Sequence, residues 1–499
     1  MLKKLLEEIR KHPFVYFFLS LILVGAFFVR LYKIDTILGF YFDQGRDAKV
    51  IWDLWHSGKP FLVGPVTGLE GVFLGPLFYW LITPFYLIGG GNPVYPAIFI
   101  GVLASLGVFF VYLVGFKAHS RSTGIIAACI FAFSYFIVYY GRWLANPAPI
   151  LFVSPLLYFS LLKIANKEGE IWWVIAVFLI ALSFQFELAS AFFYLPAFLV
   201  FTFWTVLRQG YGGRGKLNNK TLLTMFFIFF ITLIPQIIFN FKHDNILLGA
   251  LGNALKDRKE INLTFWEFIK FRFDFYYRAL TSIIFPQKQN TLNAFLLAAI
   301  GIYIANAKRL LKAKFVITFL IFIISPIIGF LFFRANEAKV YDYYLVGYFV
   351  PFIILFSAAL SQLAKNWLGI ALLAVFFLIF FQTNIPMINS YLKKGIAPFT
   401  FKDQISSVKW VLDDARDNPF SVDVWVAPII PHAYDYLFLW LGETKRPIKD
   451  ADSLYTLYEE PGNLYPERNA WLSQKNKEGI VEEEVQFSGI TVQRRTKTR

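Results

Sequence analysis

Just beyond the first long apolar run, the stretch Phe42-Asp43-Gln44-Gly45-Arg46-Asp47-Ala48 places three charges where the chain has left a hydrophobic segment. Asp43, Arg46 and Asp47 stand at i, i+3 and i+4, so on a helix they share one face. A carboxylate in a membrane-flanked pocket suits general-base work, because partial desolvation and nearby charges set its proton affinity. The competing reading is structural: Asp43 caps a surface helix and Arg46 pairs with Asp47. The residues after the motif speak for chemistry. Trp52, Trp55, a Gly58-Lys59-Pro60 turn, Gly64-Pro65 and an apolar run interrupted by Gly75, Pro76 and Pro84 make a costly construction for a plain connector.

Three later stretches fall on the same expected side of the membrane. In Tyr140-Gly141-Arg142-Trp143-Leu144-Ala145-Asn146-Pro147, Arg142 is either an interfacial residue beside Trp143 or a phosphate ligand, and Asn146 either a cap before Pro147 or a contact to a sugar hydroxyl. Lys242 and His243 open a second long loop; they either flank a span as charged residues commonly do or hold an anion. Glu187 ends another span, and a carboxylate at membrane depth is a functional candidate by default. The sequence demands neither metal nor nucleotide. Its five histidines are scattered and it has no Walker-type glycine loop. Asp450-Ala451-Asp452 reads as a solvated loop.

The elements that must hold these residues are set by composition. Of 499 residues, 57% are hydrophobic, 20% aromatic and only 16% charged, the profile of a polytopic membrane protein. The formal charge of +15 is spread through short connectors, which argues against a nucleic-acid partner. The single cysteine, Cys129, lies in an apolar run, so no intrachain disulfide can form. Apolar runs of spanning length occur near 14–32, 94–116, 122–140, 149–164, 171–186, 190–206, 221–240, 291–307, 315–333, 343–361 and 367–386. The first of these reads as a retained span, since no small-residue cleavage site comes after it.

Val72 to Ile88 decides the topology. If it does not cross, the connectors holding Lys117, Arg121, Lys163, Lys167, Arg214, Lys216 and Lys308 to Lys314 all face the cytoplasm with the basic N-terminus, as the positive-inside rule requires. That gives about eleven spans, a cytoplasmic N-terminus and outer loops at 33–93 and 241–290. The expected fold is an all-α polytopic domain over 1–386 with juxtamembrane helices on its outer face, then a small extracytoplasmic α/β domain over 387–499. In the latter, Phe401 to Arg416 reads as a helix, Ser421 to Ala427 as a strand and Glu482 to Gln493 as a hairpin turning at Ser488-Gly489.

The order of these motifs resembles the GT-C class of membrane glycosyltransferases. The motifs are Asp43-Gln44-Gly45-Arg46-Asp47, Val63-Gly64-Pro65, Leu74-Gly75-Pro76-Leu77-Phe78-Tyr79-Trp80, Arg142-Trp143 with Asn146-Pro147, and Phe241-Lys242-His243. Within that class the chain is similar to bacterial family 39 enzymes of the protein O-mannosyltransferase type and to aminoarabinose transferases. The resemblance implies a plasma-membrane transferase that moves a sugar from a polyprenyl phosphate to a glycan, lipid or protein acceptor on the outer face. On it, Asp43 matches the catalytic base; Arg46, Arg142, Lys242 and His243 are the candidates for donor phosphate, and Asp47, Asn146 and Glu187 for sugar or acceptor. One carboxylate with no second as nucleophile implies inversion at the anomeric carbon. The chain departs from the family twice: Gln44 replaces the Glu of the protein mannosyltransferases, and Glu187 stands where relatives often have a basic residue. A lipid-linked-glycan transporter and a non-catalytic glycolipid-binding protein on the same fold are the alternatives.

Overall fold

The computed structural model describes residues 2–58, 61–69, 71–208, 217–256, 264–287, 289–306, 313–331, 333, 339–427, 430–449, 451–460 and 464–497. Lys59, Pro60, Arg214, Lys216, Lys308, Arg309, Lys312 and Asp450 lie outside these residues. Among the described residues, seven helices are long and apolar enough to cross a membrane, and Arg121–Phe133 with Tyr135–Gly141 makes an eighth, bent by 66°. The shorter apolar helices Ile150–Ala165, Ile171–Phe186 and Asn290–Ala305 fall on the remaining expected runs. The chain is a multi-pass membrane protein. Leu77–Ile88 is a helix of 12 residues with Pro84 inside it, about 18 Å long at the helical rise and too short to span a 30 Å core.

Two departures from the expected spans matter to the site. The run 122–140 is broken at Ser134, and the break is stabilised from outside. The Tyr135 amide donates to Asn384 Oδ1 at 2.8 Å, and the Arg30 guanidinium donates to the carbonyls of Phe131 and Ala132, both at 3.1 Å. Orphan groups at a helix break inside a membrane protein must find such partners. Secondly, the helix Trp367–Lys394 runs eight residues past Pro386. Ile388, Tyr391 and Leu392, at helical spacing and buried, hold it to the rest beyond the point where the apolar run stops. The C-terminal domain therefore starts from a helix already anchored in the bundle.

That domain is a four-stranded sheet in the order β1-β2-β4-β3, with β1 Phe420–Trp425, β2 Ser453–Glu459, β3 Gly479–Phe487 and β4 Ile490–Lys497. β1 and β2 are parallel and the other pairs antiparallel. β3 and β4 form the expected hairpin, with Ser488 at φ 52° in its two-residue turn. The helix Phe401–Ala415 starts at a capping box in which Thr400 and Asp403 each accept the other's backbone N–H. Two further helices, His432–Gly442 and Tyr465–Glu478, complete the domain.

Candidate active site

The motif helix, Phe42–Ser57, starts at Tyr41 rather than at Asp43, so Asp43 is not its N-cap. The cap is completed by Gln44, whose Oε1 accepts the Tyr41 amide at 3.1 Å while its Nε2 donates to the Leu144 carbonyl at 3.2 Å. Gln44 is thus the staple between the motif and the Arg142 stretch, a hundred residues on. Arg46 bridges the two carboxylates. Its Nη1 lies 2.9 Å from Asp43, and its Nε and Nη2 donate to Asp47 Oδ1 at 2.9 and 2.8 Å. Tyr79 from the short helix Leu77–Ile88 donates to the same Asp47 oxygen at 2.8 Å.

The two aspartates therefore differ. The Asp43 side chain is 52% exposed, whereas that of Asp47 is only 5% exposed. Burial pushes the Asp47 carboxyl up to about 6 against the opposing pull of Arg46 and Tyr79, so it is ionised at neutral pH and paired. Arg46 stays protonated beside it; its two carboxylate partners leave it as a holder of Asp43.

Asp43 opens onto a cavity of about 180 Å3 lined by Tyr41, Gln44, Tyr139, Arg142, Trp143 and Tyr391, among others. Arg142 enters it from the loop that comes after the broken span. Its Nη1 donates to the Val29 carbonyl at 3.1 Å, and its guanidinium sits 5.4 Å over the Tyr391 ring. Its Nε and Nη2 are buried and meet no acceptor at good hydrogen-bonding geometry among the described residues; the polar neighbour of the guanidinium is the Tyr391 hydroxyl. Burial lowers its pKa from the ordinary arginine value, an effect that its tyrosine neighbour opposes. The cavity thus sets a half-exposed carboxylate and an arginine among aromatic rings.

The remaining expected residues are placed differently. Asn146 Nδ2 donates to the Phe186 carbonyl at 2.6 Å, which joins its loop to the end of the helix Ile171–Phe186. Glu187 is buried, and its Oε1 accepts the Ala189 amide at 3.2 Å, capping the next helix. Lys242 and His243 end the helix Asn219–Lys242. The His243 ring stacks on Phe239 at 4.1 Å, and its Nδ1 meets the Phe239 carbonyl at 2.8 Å. Asn146, Glu187, Lys242, His243 and the buried Asp47 do not line the Asp43 cavity. Sequence reasoning misses Tyr391 and Arg30. The signal for Arg30 is its lone charge inside the first apolar run. Among the described residues, no three His, Cys, Asp or Glu side chains gather as a metal ion requires.

Comparison with known proteins bears on this arrangement. Residues 74–239 match the family model described as dolichyl-phosphate-mannose-protein mannosyltransferase. The crystal structure of ArnT from Cupriavidus metallidurans bound to undecaprenyl phosphate superposes with a TM-score of 0.60 at 10% identity, covering 97% of this chain and 98% of that one. The fold is that of the GT-C membrane glycosyltransferases. The GT-C oligosaccharyltransferase of Archaeoglobus fulgidus in the apo form gives a TM-score of 0.54 at 14% identity, over 86% of this chain and 64% of that one. The same archaeal enzyme, AglB, in complex with an inhibitory peptide and a dolichol-phosphate gives 0.51 at 12% identity, over 97% and 74%. No curated protein sequence matches the chain. The GT-C likeness of fold runs through the membrane helices and the C-terminal domain alike, since ArnT is covered almost end to end.

Proposed function

We propose that the chain transfers a sugar from a polyprenyl-phosphate donor to an acceptor hydroxyl on the outer face of the membrane, with Asp43 as general base and Arg142 as the donor-phosphate ligand. The observation that carries this is the cavity that Asp43 and Arg142 both line, together with two Arg142 nitrogens, Nε and Nη2, that are buried without an acceptor at hydrogen-bonding geometry. A buried charged donor left unpaired is costly, and an incoming phosphate would supply the missing acceptors. The undecaprenyl phosphate held by the ArnT of like fold supports the same class of donor.

In this mechanism Asp43 takes the proton of the acceptor hydroxyl as its oxygen attacks the anomeric carbon. The bond from that carbon to the phosphate oxygen breaks, and its electron pair leaves with the lipid phosphate. Negative charge grows on the departing oxygen, where Arg142 stabilises it. A single displacement inverts the anomeric carbon. Tyr139, Trp143 and Tyr391 offer ring faces to the sugar. Arg46 and Asp47 keep the base aimed, and Asn146 and Glu187 hold the loop and helix behind Arg142. Lys242 and His243 lie near the stretch 71–76, where Phe73 meets Phe239 at 5.8 Å, and in this reading they serve donor entry.

The test is transfer of labelled sugar from polyprenyl phosphate in membranes holding the full chain, with Asp43→Asn and Arg142→Lys beside it. Loss of the base lowers turnover by about a hundredfold or more with the donor KM little changed. Arg142→Lys keeps the charge but loses the planar fork, and raises the donor KM by roughly tenfold or more. Equal turnover of the Asp43→Asn variant would sink the assignment of the base.

A further inference from the structure

The outer domain reaches the active site through one buried carboxylate. Glu459, at the end of β2, is 9% exposed. Its Oε1 accepts the Tyr434 hydroxyl at 2.9 Å and Gln404 Nε2 at 3.4 Å. The same Gln404 nitrogen donates to the Phe40 carbonyl at 3.1 Å, three residues before Asp43. Around this chain of contacts the outer domain holds the entry to the motif helix by its rings: Phe40 meets Phe401 at 5.4 Å and Tyr436 at 5.9 Å, and Phe42 meets His432 at 4.7 Å. A water-sized void of about 20 Å3, lined by Tyr41, Phe42, Gln404, Tyr434 and Glu459 among others, lies along this seam. Tyr41 and Phe42 also line the Asp43 cavity, so the two spaces share a wall.

We propose that Glu459 is a positioning residue for Asp43: through Gln404 and Tyr434 it fixes the turn Phe40-Tyr41-Phe42 from which the motif helix starts. This rests on the reading of Asp43 as the base. The ionised carboxylate is the form that holds the turn, because both its partners donate to it. A protonated carboxyl brings an O–H to a site already filled by donors. Burial raises Glu459 to about 7, while Tyr434 and Gln404 pull the other way. The titratable groups facing it are Tyr434 from the helix His432–Gly442 and Tyr41 from the loop before Asp43. Gln404 and the β4 partner Ile490, on the other elements packed against it, are uncharged.

The experiment compares the full-length chain with Glu459→Gln and Tyr434→Phe in membranes, measuring sugar transfer between pH 6 and 9. Wild-type kcat falls as pH drops through about 7, where Glu459 gains its proton. Glu459→Gln lacks that inflection and stays about tenfold to a hundredfold below the wild-type plateau, the cost of a small misplacement of a reacting group. Its donor KM is unchanged. Tyr434→Phe keeps the carboxylate and removes one donor to its charged form, which moves the inflection to higher pH. Amide hydrogen exchange of the purified proteins reads the same contact without turnover: Glu459→Gln loses protection over residues 41–47 while the sheet keeps its own. If the wild type transfers sugar and Glu459→Gln matches its kcat and pH profile, the positioning role is overturned and the transferase reading stands. If the wild type transfers nothing, that reading falls, and equal protection over 41–47 in the two proteins overturns the contact as well.

Discussion

Gln44 shows what a single side chain settles at this site. It is 3% exposed and serves both as acceptor for the Tyr41 amide and as donor to the Leu144 carbonyl, a combination that an amide has and a carboxylate lacks. A Glu set here would turn an oxygen toward the Leu144 carbonyl. We expect Gln44→Glu to lower stability by about 1–3 kcal/mol, the cost of a buried unsatisfied acceptor. The loss should be smaller at low pH, where a protonated carboxyl regains a donor. Thermal unfolding in detergent at pH 5 and pH 8 measures this, and equal loss at both would contradict the argument. The residues of the cavity are unevenly legible in sequence. Asp43 and Arg142 stand out because charges beside apolar runs need a reason. Tyr391 and Glu459 do not, since nothing local marks a residue whose partners are Tyr139 and Arg142 for the one and Gln404 and Tyr434 for the other. Spacing places Asp43, Arg46 and Asp47 on one face, yet only burial by Tyr79 and its helix separates the roles of the two aspartates.

Among the elements, the motif helix is seated by a glycine. At Gly45 a Cβ would stand 2.3 Å from the Ala433 amide nitrogen and from the His432 carbonyl, so only glycine lets the helix His432–Gly442 lie this close. The group on the other side of the contact is backbone, which cannot swing away as a side chain could. Gly45→Ala should therefore separate the two helices, cost about 1–3 kcal/mol through overpacking and lower transfer more than a surface change. Gly58→Ala, at the end of the same helix, meets nothing within 4 Å but has φ 65°, and so tests backbone strain without this contact. If Gly45→Ala matches wild type in both unfolding and transfer, the close packing carries no weight. The helix itself is legible from its charge spacing; its partner is not. The outer domain shows why: the Phe401 helix, the first strand and the hairpin have clear patterns, whereas β2 and the helix His432–Gly442 are defined by what they pack on. The broken span is a like case, because apolar composition runs on through Ser134 and only Asn384 and Arg30 reveal the break.

At the scale of the whole molecule, the contacts sort into two ends. At one, Gln44 meets Leu144, Asn146 meets Phe186, Gln404 meets Phe40 and Trp440 donates to the Gly90 carbonyl. At the other, Glu8 pairs with Arg121, Glu168 with Lys117 and Lys163, and Lys314 donates to the Ala165 carbonyl. Among the described residues, Lys117, Arg121, Lys163 and Lys314 thus gather at the end away from Asp43, which on the positive-inside rule is the expected cytoplasmic end. The sole cysteine makes the orientation measurable. Cys129 is buried, so the natural chain is a silent background for a membrane-impermeant maleimide. Ser473 in the outer domain and Asn166 between two spans are exposed, and each takes a reporter as Ser473→Cys or Asn166→Cys. On intact cells the first should label and the second should not; after lysis both should. The reverse pattern would put Asp43 and its cavity on the cytoplasmic side, where acceptor and donor would have to be sought among cytoplasmic molecules, and would leave the +15 charge without its topological reason. Labelling of both on intact cells would mean that the two ends share a side, which would overturn the expected odd number of crossings between Asn166 and the C-terminal domain.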